Sequence, residues 1–277
     1  MATLPPISFE FFPPRNEEGT QSLELAIKNL REFTPEFFSV TFGAGGSTKE
    51  KTLETVLKIR ALGSAAVPHI SCISSSKEDI SNLLAKYQAH DINRLVALRG
   101  DNPSGAPSYG NFKYANELVD YIFQETGDYF NIEVAAYPEF HPEALSAKND
   151  MDNFQRKIDA GATGAITQFF FNVDSYFKFM EECQRRSIAI PVVPGIMPIY
   201  NVKQLSRFSA NCGSEIPRWL RMRLEDYGDD LESLRSFGVD VITELCETLT
   251  QYGVPSIHFY TLNQSGIIIK IINNLKS

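Results

Sequence analysis

The sequence predicts an α/β chain folded as a closed (β/α)₈ barrel, the TIM-barrel architecture, with extra helices before the last strand. Three observations carry that expectation. Short runs rich in β-branched and aromatic residues recur along the whole chain, and stretches with apolar residues three and four apart separate them. No low-complexity linker or break in composition interrupts the pattern. Alternating strand and helix signals predict a parallel sheet with helical crossovers, and eight such periods fit a closed barrel better than an open doubly wound sheet. A length of 277 residues suits one barrel or two ordinary domains. The unbroken pattern favours one domain spanning 1–277.

Taken in order, the expected strands are Ile7–Phe12, Phe37–Phe42, Val67–Cys72, Arg94–Leu98, Ile132–Tyr137, Ala165–Phe170, Ile190–Pro194 and Ser256–Leu262. Helical periodicity is clearest at Leu23, Ile27 and Leu30, at Leu53, Val56 and Leu57, and at Leu118, Val119 and Ile122. The interval before the last strand is longer and is expected to hold helices at Pro217–Tyr227 and Leu231–Tyr252. Within strand one, Ile7, Phe9 and Phe11 alternate with Ser8, Glu10 and Phe12, and in strand two Phe38, Val40 and Phe42 oppose Ser39 and Thr41. In strand three, His69 and Ser71 share a face. The apolar sets are expected to meet the helices and the polar sets to point into the barrel or its mouth. For Ser8, Ser39 and Ser71 a satisfied core hydrogen bond is the simplest expectation.

Composition narrows the partners. Lys and Arg total 26 against 34 Asp and Glu, a net charge of −8. A surface of that sign disfavours nucleic acid or anionic lipid as a main partner. A hydrophobic share of 43% excludes a disordered chain. Cys72, Cys183, Cys212 and Cys246 are far apart with no CxxC pair, which fits a reducing cytosol. The apolar run Gly266–Ile269 is too short to span a membrane, and MATLPPISFEFF lacks the pattern of a secretory signal. A soluble, cytosolic protein is therefore expected.

Polar residues gather at or just past the C-terminal strand ends: Glu10, Thr41, His69, Arg99, Asp101, Tyr137, Glu139, His141, Gln168 and Asn263. That rim is where barrel enzymes keep their chemistry. Familiar short motifs say less. The glycines of Phe42–Thr48 lack both GxGxxG spacing and a GK[ST] ending, and serve either as a tight turn or as an anion loop. No HExxH or GxSxG is present, and no metal site is expected. Spacing alone reaches a barrel enzyme with a polar rim.

Segments at the strand ends are more specific together. FEFFPPR (Phe9–Arg15), SVTFGAGG (Ser39–Gly46), PHISC (Pro68–Cys72) and ALRGD (Ala97–Asp101) are followed by AAYPEFHPEA (Ala135–Ala144), KIDAGATGAITQFFF (Lys157–Phe171), PGIMP (Pro194–Pro198) and HFYTLN (His258–Asn263). In this order, across nearly the whole chain, the set closely resembles the methylenetetrahydrofolate reductases of bacterial type. The resemblance implies a single catalytic barrel that binds FAD and works in two half-reactions. NADH or NADPH gives a hydride to the flavin and leaves; 5,10-methylenetetrahydrofolate then takes the same face and accepts a hydride from flavin N5, giving 5-methyltetrahydrofolate. It also implies a role in one-carbon metabolism and methionine biosynthesis, and a homo-oligomer, a tetramer among bacterial relatives. The protein supplies position and electrostatics for the cofactor's chemistry.

Carried over by residue, the resemblance makes Glu10 the general acid that delivers a proton to N10 of the folate, opening the ring to an iminium at N5. Free Glu has a pKa of about 4.3, and Phe9, Phe11 and Phe12 beside Glu10 suggest a dry setting that raises it. Asp101 is the acidic residue near flavin and pterin, expected to be both catalytic and a contact to each. For FAD the resemblance implies His69, Arg99, Gly100, Asp101, Tyr114, Ala115, Tyr137, His141, Asp150, Asn153, Arg156 and Lys157. Arg99, Arg156 and Lys157 would gather positive charge for the pyrophosphate, and Gly100 would admit close backbone approach to the ring. Thr41, Asp101, Gln168 and Gln204 are implied contacts to nucleotide or folate. Gln264 stands where the family commonly carries a folate-binding arginine, and an amide forms only a neutral hydrogen bond there. The regulatory domain of eukaryotic relatives is not expected, since the sequence stops soon after strand eight.

Two other classes remain as alternatives. A metal- or Schiff-base-dependent barrel lyase needs three converging ligands or a strand-end lysine, and a non-catalytic flavin- or folate-binding scaffold would be expected to lack Glu10 or Asp101.

Overall fold

Strand β1 (Ile7–Phe11) belongs to a parallel sheet that curls until its two ends meet. The computed structural model describes residues 4–42, 46–73, 75–100 and 110–277, residues 46–49 by backbone alone. Asp101 and the glycine loop at 43–45 lie outside the described residues. The chain continues through α1 (Glu17–Leu30), β2 (Phe38–Val40), α2 (Gly46–Ala61), β3 (Ala66–Ser71), α3 (Lys77–Ala89), β4 (Arg94–Leu98), α4 (Ala115–Thr126), β5 (Asn131–Ala136), α5 (Ala147–Asp159), β6 (Gly164–Thr167) and α6 (Val173–Arg185). It ends with β7 (Val192–Val193), β8 (Gly195–Ile196), α7 (Val202–Cys212), α8 (Arg218–Asp226), α9 (Leu231–Tyr252), β9 (Ile257–Tyr260) and α10 (Gly266–Lys276).

Among the described residues nine strands pair in the order β7-β6-β5-β4-β3-β2-β1-β9-β8. The two ends of that order, β7 and β8, are separated only by Pro194, so the expected seventh strand has become two. Proline has no N–H to give a ladder. Val192 and Val193 pair with β6 and Gly195 and Ile196 with β9, and the Pro194 carbonyl accepts from His258 N (3.0 Å). Closure therefore runs through residues 192–196 rather than the expected 190–194. Gly195 is required at this seam, because a Cβ there would lie 2.2 Å from the Thr167 carbonyl oxygen and 2.6 Å from the Tyr260 ring.

Alternation along the strands separates two cores. Ile7, Phe9 and Phe11 pack outward against the helices, for example against Leu23, Ala26, Ile27 and Leu30 of α1. Inside the barrel, Phe37, Val67, Val96, Ile166 and Val193 form a second cluster. His258 is buried there too, its Nδ1 2.7 Å from Ser8 Oγ and its Nε2 3.5 Å from Ser39 Oγ, and burial pushes its pKa down to about 3. Ser71 Oγ donates to the Arg99 carbonyl (2.8 Å), so all three inward serines are spent on internal bonds. At the N-terminal end, Arg94 bonds to Glu133 and lies 4.0 Å over the Phe37 ring, closing the barrel floor.

The helix over β2 departs from its expected stripe. Thr52, Thr55, Val56 and Ile59 are buried, while Leu53 and Leu57 are only half-buried and line a cavity. Helices α8 and α9 fill the interval before β9 within a residue of the expected bounds. Among the described residues no helix is long and apolar enough to cross a membrane.

Candidate active site

The open, C-terminal end of the barrel leads into a cavity of about 1650 Å³. Ligand pockets commonly hold about 300–1,000 Å³, so this one has room for a large cofactor and a second ligand together. Glu10, Thr41, His69, Arg99, Gly100, Tyr114, Ala115, Tyr137, His141, Asp150, Asn153, Lys157 and Gln168 all contribute to its wall.

Glu10 stands at the end of β1 with its side chain turned inward. The turn after β9 fixes its backbone: Thr261 Oγ1 donates to the Glu10 carbonyl (2.6 Å), and the Asn263 amide bonds Phe12 N (3.0 Å) and Phe12 O (2.9 Å). Burial pushes the Glu10 carboxyl from its usual 4.5 up to about 8, although 22% of the side chain stays open to the cavity. The dry setting does not come from the flanking phenylalanines. Phe9 and Phe11 face the helices on the other side of the strand, and Phe12 is 40% exposed.

The nearest polar partner is His69, whose Nε2 lies 3.6 Å from Glu10 Oε2. Burial drives His69 down to about 3. At neutral pH the imidazole is uncharged and the carboxyl protonated, so this is a neutral pair and not an ion pair. The buried Nε2 of His69 has no hydrogen-bond partner among the described residues, which leaves it available to a ligand. Tyr260 completes the surroundings; it is buried close enough to Glu10 for their charges to interact, and its hydroxyl donates to the Thr167 carbonyl (2.7 Å).

Others of the expected residues are already engaged within the chain. Arg99 is paired in a fork with Glu143, its NH2 nitrogen 3.0 Å from Oε1, so its charge is already met within the chain. Lys157 donates to the Ala135 carbonyl (2.5 Å), and burial brings its ammonium down to about 8. His141 packs edge-on to Tyr137 at 4.7 Å, its Nδ1 accepts from Glu143 N (3.0 Å), and Asp150 accepts from His141 N (3.0 Å). Burial lowers the His141 pKa, with Arg99 adding to it. Gly100 has φ +86°, and a Cβ there would meet Ser71 Oγ at 2.0 Å. Within the chain, the approach that demands glycine is therefore that of Ser71.

Three expected residues do not line the cavity. Arg156 is exposed, donates to Asn153 Oδ1 (2.7 Å) and lines a neighbouring groove between α4 and α5. Gln204 sits in the first turn of α7, where its N–H donates to the capping Asn201 (2.8 Å). Gln264 is exposed after β9, its carbonyl 3.4 Å from the Tyr200 hydroxyl. Asp101 lies outside the described residues. Conversely, Phe208, Asn211, Met197, Tyr260 and Glu143 help form the wall without having been singled out. Tyr260 had a readable signal, since it alternates with the inward His258. For Phe208 the only signal was helical spacing, which does not tell a cavity wall from a core.

A closed parallel barrel with a large polar cavity at its C-terminal rim has the build of an α/β-barrel enzyme. The family model described as methylenetetrahydrofolate reductase matches residues 3–276. The chain belongs to the methylenetetrahydrofolate reductase family. It is 39% identical over 272 residues to the 5,10-methylenetetrahydrofolate reductase of Escherichia coli, covering 97% of this chain and 90% of that one. It is 40% identical over 265 residues to that of Buchnera aphidicola from Schizaphis graminum, covering 95% and 89%. A plant relative, methylenetetrahydrofolate reductase (NADH) 1 of Arabidopsis thaliana, is 36% identical over 97% of this chain and 48% of its own. Among solved structures, an uncharacterized protein from Clostridium thermocellum that binds two copies of 5-methyl-5,6,7,8-tetrahydrofolic acid shares the fold. Its TM-score is 0.65 at 17% identity, covering 99% of this chain and 94% of that one.

Proposed function

We propose that this chain reduces 5,10-methylenetetrahydrofolate to 5-methyltetrahydrofolate with electrons from NADH or NADPH, passed through bound FAD, in one catalytic domain. The observation that carries the reading is the placement of Glu10 at the open end of the barrel, its carboxyl turned into the cavity beside His69, where burial pushes its pKa up to about 8. A carboxyl that keeps its proton at neutral pH is what opening a folate imidazolidine ring needs, and a carboxylate at its ordinary pKa could not serve.

The residues present suit a flavin. The cavity is large, the His69 Nε2 inside it is unpaired, and the Gly100 backbone is exposed toward it without a side chain. His69, Gly100, Asp101, Tyr114, Ala115, Tyr137, His141, Asp150 and Asn153 would hold the cofactor, with Lys157 supplying positive charge; Arg99 is spent on Glu143 and Arg156 faces the neighbouring groove. Bound FAD would supply the two-electron relay between nucleotide and folate. Glu10 holds a proton for N10, and Thr41 and Gln168, with Asp101, orient the folate or the nucleotide. A carboxylate at Asp101 would favour the cationic iminium formed when the ring opens.

Visible spectroscopy of the purified protein, followed by anaerobic titration with NADH, NADPH and then the folate, tests the reading. Flavin absorbance that bleaches with a nucleotide and returns with methylenetetrahydrofolate is expected. Colourless protein that takes up no FAD would overturn it. The Arabidopsis relative's name specifies NADH, and we expect NADH to bleach this protein faster than NADPH.

A further inference from the structure

Glu139 belongs to the polar rim but not to the cavity wall. Just past β5, its Oε2 accepts from Glu215 N (2.7 Å) and its Oε1 from Ser175 Oγ (3.4 Å). Glu215 sits in the link that follows α7, and that link is fastened at further points. Gly213 turns the chain at φ +77°, with its N–H on the Ser209 carbonyl (2.9 Å). Ser214 Oγ donates to the Phe169 carbonyl (2.6 Å), and Ser209 Oγ donates to the Ser214 carbonyl (2.5 Å). The link is thus tied to the end of β5 by Glu139 and to the end of β6 by Phe169.

Helix α7 needs such ties, because Leu205 is its only fully buried side chain among the described residues. Its inner face nevertheless carries Phe208, Asn211 and Cys212 onto the cavity wall. A helix with little core of its own holds its place by whatever fixes its ends. We propose that Glu139 is a positioning residue that sets the α7 wall of the cavity, and with it the affinity for the folate. The proposal rests on the proposed function and further places the folate against this wall. What Glu139 contributes is an acceptor oxygen for a backbone N–H, not a negative charge. A glutamine keeps one acceptor for Glu215 N and gains a donor for Ser175 Oγ.

The test compares Glu139→Met, which keeps bulk and removes both acceptors, with Glu139→Gln and with Ser214→Ala, which unfastens the other tie. Steady-state kinetics should show KM for methylenetetrahydrofolate raised about tenfold in Glu139→Met, and in the same direction in Ser214→Ala. Bound FAD and the rate of flavin reduction by nucleotide should be unchanged, and Glu139→Gln should be close to wild type. Hydrogen exchange should speed up over residues 202–215 in Glu139→Met and not in Glu139→Gln. Unchanged exchange in both Glu139→Met and Ser214→Ala, or faster exchange with an unchanged KM, overturns the proposal. A Glu139→Gln variant as impaired as Glu139→Met overturns the acceptor account. Wild-type protein without folate turnover would sink the functional reading alone, and the exchange comparison would still decide whether Glu139 fastens the helix.

Discussion

The barrel holds a buried carboxyl at each end, and the two meet different fates. Glu133, at the closed end, is 5% exposed and bonded to the Arg94 guanidinium, which itself stacks on Phe37. Glu10, at the open end, faces the uncharged His69 and the cavity. Burial pushes both carboxyls up. At Glu133 a cation works against that push; at Glu10, among the described residues, the neighbour within reach is the uncharged His69. Depth in the barrel does not decide what a carboxyl can do. Its partner does: a cation turns it into a structural tie, and a neutral imidazole leaves it holding a proton.

The largest expected effect breaks the open-end member of the pair. Glu10→Gln should retain FAD and its reduction by nucleotide while the folate half-reaction slows by about 10²–10⁴, the usual worth of a general acid. Stopped-flow with each substrate separately measures the two halves, and a folate half-reaction of wild-type speed would remove Glu10 from the role. In the wild type that half-reaction should decline as pH rises through about 8, where Glu10 loses its proton. Next comes the closed end. Arg94→Met leaves Glu133 buried and uncompensated, and should destabilise the protein by about 3–5 kcal/mol. Urea unfolding measures it. The double variant Arg94→Met with Glu133→Leu should recover most of that loss, because a buried pair is harder to break than to replace. If the double variant is no better than the single, the tie does more than neutralise Glu133.

Much of this contrast was legible beforehand, and the reason is the period of two along a strand. Once Ile7, Phe9 and Phe11 read as one face, Ser8 and Glu10 had to share the other, and the barrel turned that other face inward. The same parity placed His69 and Ser71 together. What parity does not give is company across the barrel: nothing near Glu10 in the sequence announces His69 or Tyr260, and the dryness credited to Phe9 and Phe11 comes from elsewhere. Pro194 was readable as a strand end, yet it proved to be the seam where one strand serves two neighbours. Helical positions were hardest. Leu53, Leu57 and Phe208 have core-like spacing but line the cavity, while Arg156, one residue before the cavity-lining Lys157, turns outward because a helix rotates each position by about 100°. Glu139 and Asn263 looked like site residues and are backbone clasps.

Gly100 sharpens the comparison from the side of the wall. Its φ of +86° already disfavours any side chain, and the methyl of Gly100→Ala would overlap Ser71 Oγ. A loss of about 1–3 kcal/mol is expected, together with weaker retention of FAD, read from thermal unfolding and from the flavin content after gel filtration. Adding Ser71→Ala should return part of the stability but not all, since the positive φ and the contact with Ile73 at 2.9 Å remain. Full recovery would mean that the side-chain overlap, not the backbone, sets the requirement.

The smallest effect separates the neutral histidines from the protonated acid by pH. His69 and His258 have pKa values lowered from 6.5 to about 3, so the unfolded chain binds more protons than the folded one between those values. Their contribution is intact above 6.5 and is lost as pH falls toward 3. Glu10 has the opposite sign. Its pKa is raised from 4.5 to about 8, so the folded chain binds the extra proton and stability declines as pH rises through that range. Between 4.5 and 6.5 the two oppose each other, and between 6.5 and 8 Glu10 acts without the histidines. In that upper window wild-type protein should lose about 1.6 kcal/mol more than Glu10→Gln, which has no proton to give up. Urea unfolding of both proteins at pH 6.5 and pH 8 isolates this difference. Parallel losses in the two proteins would mean that Glu10 is ionised in the folded state at neutral pH, and the contrast between the two ends of the barrel would then rest on position alone.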